Sequence, residues 1–342
     1  MLSVLSAVFL AYPLWRTMTW LESPLWLVYV VAIGGFASQF VARIGLRKMQ
    51  GSLALWIRRG CDLLLGVSPV LLGAVLLGEL IILSGLIPPT LVGLAVIVIV
   101  LLAGVWGIYN ARTPMIEEVR LESGKLATPL RFAQISDVHI GSRSSDFLER
   151  VITKVSEANP DFLCITGDFI DQPGISEERL SALRAFGKPI YFSTGNHEFY
   201  EDFDEILVRL NNLGVNVLRQ NDVFHDGVQV VGVDDHSDPN RLDQVLPKLA
   251  VDRAAFTVLM YHRPHGLEHA AEHGVDLMIS GHTHDGQIKP FNWLVRRQFE
   301  YIKGLYVSEC GRAHLYVNQG TGTWGPTMRL GTRCEITVFN VG

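Results

Sequence analysis

Residues 24–42 and 86–109 of this 342-residue chain contain no Asp, Glu, Lys or Arg. As helices they would run about 28 and 36 Å, enough to cross a hydrocarbon layer roughly 30 Å thick. Neither run has a polar side that could face water, so a place in a soluble core is disfavoured. Residues 61–85 form a third apolar run, with Asp62 near one end and Glu79 inside. Residues 2–15 are apolar but short. They lack a basic start and a small-x-small cleavage site, so they read as the beginning of a further span. The expectation is a transmembrane helical region over 1–112 with three to four helices, at about 2–20, 24–42, 61–85 and 86–109. Glu79 is expected near the membrane interface or against neighbouring helices.

Charge sets the expected orientation. Residues 43–59 carry five Lys/Arg and no acid, the turn 84–90 carries neither, and Arg112 and Arg120 follow the last run. Positive charge resists translocation, so 43–59 and everything after Tyr109 are expected in the cytoplasm of a multi-pass cell (inner) membrane protein. The first 110 residues have a net charge of +3 and the remainder −8. An acidic globular part disfavours a nucleic-acid partner. The four cysteines, Cys61, Cys164, Cys310 and Cys334, form no C-x-x-C pair and read as buried free thiols in a reducing compartment.

Residues 115–342 are long enough for one large core. Short apolar runs at 130–136, 161–166, 189–194, 228–233, 256–261, 275–280, 313–317 and 335–339 read as strands. Amphipathic stretches at 145–158, 176–186, 201–213, 241–249 and 264–273 read as helices. Runs such as Phe162-Leu163-Cys164-Ile165 are apolar on both faces, which implies covered sheets. The fold class is α/β, with two sheets packed together and helices outside.

Five of these strands end in metal-ligand residue types. They deliver Asp137-Val138-His139, Gly167-Asp168, Gly195-Asn196-His197-Glu198, His262, and Gly281-His282-Thr283-His284. In α/β sheets ligands gather beyond the carboxyl ends of strands. Residues two apart in extended chain point the same way, so Asp137 can share a pocket with His139, and His282 with His284. Imidazole with carboxylate and amide oxygen suits a borderline divalent ion such as Mn, Fe or Zn. A carboxylate such as Asp168 can bridge two ions, which would clamp a phosphate and acidify a water. Each piece alone is weak; the five in this order carry the assignment.

That order, Asp-x-His, Gly-Asp, Gly-Asn-His-Glu, His, Gly-His-x-His, resembles the calcineurin-like metallophosphoesterases over about residues 130–342. Gln134-Ile-Ser-Asp-Val-His139, Gly281-His-Thr-His-Asp-Gly-Gln287 and the tail through Leu330-Gly331-Thr332-Arg333 look most like the bacterial phosphodiesterase branch typified by YkuE and YaeI. The resemblance implies a double β-sandwich flanked by helices. It implies two divalent metal ions, one held by Asp137, His139, Asp168 and His284, the other by Asp168, Asn196, His262 and His282. His197 would face the phosphate and protonate the leaving oxygen, with a metal-bound hydroxide as nucleophile. Asp285 departs from the branch, which usually has glycine there.

Residues 286–311 interleave Phe291, Trp293, Phe299, Tyr301 and Tyr306 with Arg296 and Arg297. They read either as a loop packed on its own domain or as a cap meeting the bilayer surface. The resulting expectation is a membrane-anchored phosphodiesterase or pyrophosphatase acting on a phospholipid or lipid-linked nucleotide. UDP-2,3-diacylglucosamine is one candidate substrate. Alternatives are a membrane-bound protein or small-molecule phosphatase and a metal-free scaffold.

Overall fold

A computed structural model describes residues 2–46 and 51–342; Arg47 and Lys48 of the basic loop lie outside the described residues. The chain divides into two compact units. The first holds the N-terminal helices together with Ile288–Pro290 and Gly325–Leu330. Three of its helices are long and apolar enough to cross a membrane: Leu25–Gly45, Leu53–Leu83 and Pro89–Arg112. Residues 2–20 are also continuously helical, through Leu2–Ser6, Ala7–Ala11 and Tyr12–Trp20. Leu25, Trp26, Ile33, Leu101 and Val105 project outward, as lipid-facing side chains do. Trp20, Leu71, Val75, Val92 and Val96 form the interior of the bundle. The helix Leu53–Leu83 starts ahead of its apolar run and takes in Arg58 and Arg59. Glu79 accepts hydrogen bonds from Arg16 and, at 3.3 Å, from Tyr12 Oη, so it faces a neighbouring helix.

Within this unit, Gly325–Leu330 lies along the helices. A Cβ at Gly66 or Gly107 would meet the Met328 side chain. The Arg329 N–H donates to Gly107 O at 2.9 Å, and the Lys289 N–H to Leu330 O at 2.9 Å.

The second unit holds two six-stranded mixed sheets. The first runs β1 (Met115–Leu121), β12 (Glu335–Val341), β2 (Leu130–Ile135), β3 (Phe162–Thr166), β4 (Ile190–Ser193), β5 (Val215–Val217). The second runs β10 (Gly304–Val307), β11 (His314–Val317), β9 (Leu277–Ser280), β8 (Phe256–Tyr261), β7 (Val228–Val233), β6 (Asn221–His225). Alternation along the strands builds the layers. Phe162 and Cys164 of β3 and Phe256, Val258 and Met260 of β8 fill the core between the sheets. Leu163 and Ile165 instead meet the helices Ser145–Glu157 and Phe203–Asn212 on one outer face. Leu259 and Tyr261 meet Arg241–Val245 and Leu267–Glu272 on the other. Phe132 stacks between Phe162 and Phe339, with ring centroids 4.9 and 4.7 Å away. The stretch 176–186 breaks into a 3-10 turn, Glu177–Leu180, and a single turn, Ala182–Ala185. All four cysteines are free; Cys164 and Cys334 are buried, whereas Cys310 is exposed, against the expectation of buried thiols.

Candidate metal centre

β2, β3 and β4 are adjacent and parallel, and so are β8 and β9. Their carboxyl ends therefore share one edge in each sheet. Gln134 Nε2 joins those edges by donating to Thr166 Oγ1 at 2.8 Å and to Ser280 O at 2.9 Å.

Beyond the edges the backbone is unusual. Asp137, His139, Asp168, His282, His284 and Asp285 all have φ between +46° and +70°. None is glycine, and such backbone is held against its own preference, as at sites where geometry serves chemistry. Gly195 and Gly281 matter for closeness. A Cβ on Gly281 would collide with Ser136 Oγ and Asp137 Oδ2, and one on Gly195 with Asp168 N and Oδ1.

Two groups of donors result, Asp137–His139–His284 and Asp168–His262–His282, each with ligand atoms within 4.8 Å of one another. His139 Nε2 lies 3.3 Å from His284 Nε2, which lies 3.3 Å from Asp137 Oδ1. His262 Nε2 lies 3.2 Å from His282 Nδ1 and 3.2 Å from Asp168 Oδ2. His262 Nδ1 sits 2.8 Å from Thr166 O, a carbonyl that can only accept, so Nδ1 carries a proton and Nε2 is the nitrogen turned toward the donor group. Facing imidazole nitrogens at this spacing fit one cation, because ligands about 2.1 Å from an ion sit about 3.0–3.4 Å apart. Asn196 Oδ1 is buried without a hydrogen-bond partner, which fits a further oxygen donor.

Electrostatics point the same way. Burial alone would raise the Asp137 and Asp168 carboxyls, but facing His284 and His262 charges outweigh it and hold both below their usual range. Burial lowers His262, yet Asp168 lifts it to about 10, so an imidazolium stands where a cation could. Burial and that charge push His282 down to about 3.

His197 belongs to neither group. Its N–H donates to Asp168 Oδ1 at 2.8 Å, and its ring meets that of His139 edge-on at 4.8 Å. Burial lowers its pKa. His265 is outside the groups as well; it stacks on Phe299 at 5.0 Å, and the same Phe299 ring meets His282 edge-on at 5.1 Å. His236 is exposed. Asp285 is buried and pairs with Lys303 Nζ at 3.1 Å, which offsets the extra negative charge.

Two supporting residues have no role in the sequence reading, although Glu198 closes its Gly-Asn-His-Glu motif. Asp171 Oδ2 lies 3.5 Å from His139 Nδ1, which leaves Nε2 toward His284. Its only sequence signal is its place three residues after Asp168. Glu198 is fully buried and accepts the backbone N–H groups of Asp168, Phe169, Ile170 and Gly195 at 2.7–3.1 Å. It thus clamps the loops after β3 and β4 together.

Residues 130–286 match the family model described as calcineurin-like phosphoesterase. A Helicobacter pylori (strain J99) protein described as an uncharacterized metallophosphoesterase is 32% identical over 245 residues, covering 67% of this chain and 64% of its own. A Danio rerio transmembrane protein with metallophosphoesterase domain is 32% identical over 278 residues, covering 71% of this chain and 61% of its own. The uncharacterized metallophosphoesterase YkuE of Bacillus subtilis is 30% identical over 230 residues, covering 62% and 78%. The chain thus spans less than two thirds of the length of the first two.

Proposed function

The chain belongs to the calcineurin-like phosphoesterase family, a family of metal-dependent phosphoester hydrolases, and from that premise we propose a membrane-anchored phosphodiesterase or pyrophosphatase with two divalent ions. The observation that carries this reading is the pair of facing imidazoles in each donor group, with a carboxylate beside each pair. Asp137, His139 and His284 would hold one ion. His262, His282 and Asn196 would hold the other, with Asp168 between them. Such ions supply Lewis acidity, offsetting phosphate charge and acidifying water. His197, held by Asp168 through its backbone, would pass a proton to the leaving oxygen. A complete donor set argues against a metal-free scaffold.

The substrate reading is a phospholipid or lipid-linked nucleotide at a cytoplasmic membrane face, with UDP-2,3-diacylglucosamine as one candidate. Three membrane-capable helices support it, because anchoring concentrates lipid near the site. Trp293 and Leu294 are exposed in the segment after the ligands, and Arg297 lies 3.8 Å over the Trp293 ring; both suit an interface with lipid phosphates. The orientation rests on Arg43, Arg47, Lys48, Arg58 and Arg59.

The test uses the full chain in detergent, stripped by chelator and reloaded with Mn²⁺. Reloading should restore two ions per chain and turnover of bis-p-nitrophenyl phosphate. Asp168→Ala should lose metal and roughly a thousandfold in rate. Full activity in that variant rejects the two-ion reading; turnover of soluble but not lipid diesters rejects the lipid one.

A further inference from the structure

Three aromatic rings meet beside the donor groups, and only His197 has a role in the chemistry above. The Tyr200 ring lies 5.7 Å from His197 at 69°, and the Trp324 ring 6.4 Å away at 68°. Both are largely in solvent, Tyr200 at 69% exposure and Trp324 at 54%. Large aromatic surface left in water beside a reactive centre forfeits burial it could have had, which suits a place that a ligand covers.

Neither ring sits on a loose loop. Tyr200 ends the 3-10 turn Glu198–Tyr200, whose first residue is fixed by four backbone N–H groups. The Trp324 backbone N–H donates to Gln287 Oε1 at 2.8 Å, and Gln287 Nε2 donates back to Trp324 O at 3.0 Å. Just before it, Thr321 and Gly322 donate to Ser136 O and Asp137 O at 2.7 and 3.0 Å. The backbone that carries Trp324 is therefore tied to the loop that carries Asp137. By the two ring distances, Tyr200 and Trp324 stand at most about 12 Å apart, with His197 adjacent to both. Both exposed rings thus neighbour the group that would protonate the leaving oxygen.

We infer that Tyr200 and Trp324 form a stacking subsite for a flat π-bearing group, a nucleobase, carried on the phosphate at the His197 side. The inference rests on the phosphoesterase reading and narrows its substrate to the nucleotide-bearing class. Stacking on pre-positioned rings discriminates without base-specific hydrogen bonds, so any nucleobase should gain over an alkyl group.

The experiment measures inhibition of bis-p-nitrophenyl phosphate turnover by UMP, glycerol 3-phosphate and lysophosphatidate, using Mn²⁺-loaded full chain in detergent. UMP should bind at least tenfold tighter than glycerol 3-phosphate. Trp324→Ala and Tyr200→Ala should each erase most of that preference, while Trp324→Phe and Tyr200→Phe should retain it. Titration of UMP against tryptophan fluorescence, compared with Trp324→Phe, reads the subsite independently of turnover. Equal binding of UMP and glycerol 3-phosphate overturns the subsite. So does a preference that survives both alanine variants. Lysophosphatidate outcompeting UMP, with that advantage lost in Trp324→Ala, overturns it in favour of an acyl-chain site. Failure to turn over any diester rejects the phosphoesterase reading, and fluorescence then still decides the subsite.

Discussion

Glu198 Oε2 accepts the backbone N–H of Asp168 at 3.0 Å, so the acid next to His197 in sequence holds the main chain of a residue whose carboxylate joins a donor group. Burial and then the Asp168 charge raise the Glu198 carboxyl from 4.5 to about 7. A folded-state value above the unfolded one means that the protonated form favours folding. That contribution is complete below pH 4.5 and is lost as pH rises through about 7. The metal-free chain should therefore lose thermal stability across this window more steeply than Glu198→Gln. Paired melts at pH 4.5, 6 and 7.5 measure it, and equal slopes would contradict the account.

Asp171 orients His139 without being one of the grouped donors. Asp171→Ala should weaken retention of the ion near His139 by about 10- to 100-fold, with little change in fold. Metal titration followed by competition with a chelator reads this. Asp171→Asn, which keeps an oxygen acceptor, should recover part of the loss.

His197→Asn should slow hydrolysis of diesters with alkyl leaving groups by roughly 10²- to 10⁴-fold. The loss should be smaller for p-nitrophenyl esters, whose leaving group needs little protonation. Metal content should stay at the wild-type level. Equal losses on both ester types would remove the proton-donor role.

Arg16 and Glu79 pair inside the helical unit, with Tyr12 as a further donor to the same carboxylate. Removing one partner strands the other in apolar surroundings. Either Arg16→Leu or Glu79→Leu should cost about 1–3 kcal/mol, while the double variant should cost less than their sum. Thermal melts in detergent provide the cycle. Additive losses would mean that the two charges do not cooperate.

The two sheets were legible where their strands are covered on both faces. Leu163, Cys164 and Ile165 of β3 and Val230 and Val231 of β7 announce such strands by unbroken apolar runs. The strands absent from the sequence reading, β1, β5, β6 and β10, are the outermost strands of the two sheets. An edge strand needs fewer apolar positions, and polar ones such as Glu117, Glu118, Asn221 and Asp222 protect it from pairing with another chain. The candidate ligands stood out because short-range spacing at strand ends survives folding. The roles of Asp171 and of Glu198, the last residue of the Gly-Asn-His-Glu motif, did not, because their partners are His139 Nδ1 and backbone N–H groups, which leave no pattern in a sequence. Phe299 was visible only as one aromatic in a mixed segment; its contact with His282 is a product of the fold.

The stretch Gly325–Leu330, seated among the N-terminal helices, bears on any attempt to separate hydrolysis from anchoring by truncation. A chain begun near Met115 would leave Met328 and Leu330 without the glycine-faced grooves at Gly66 and Gly107. The liberated half would carry a greasy, unsheltered tongue beside Trp324. Its stickiness would come from amputation, and a precipitate obtained that way would say nothing about whether hydrolysis needs a bilayer.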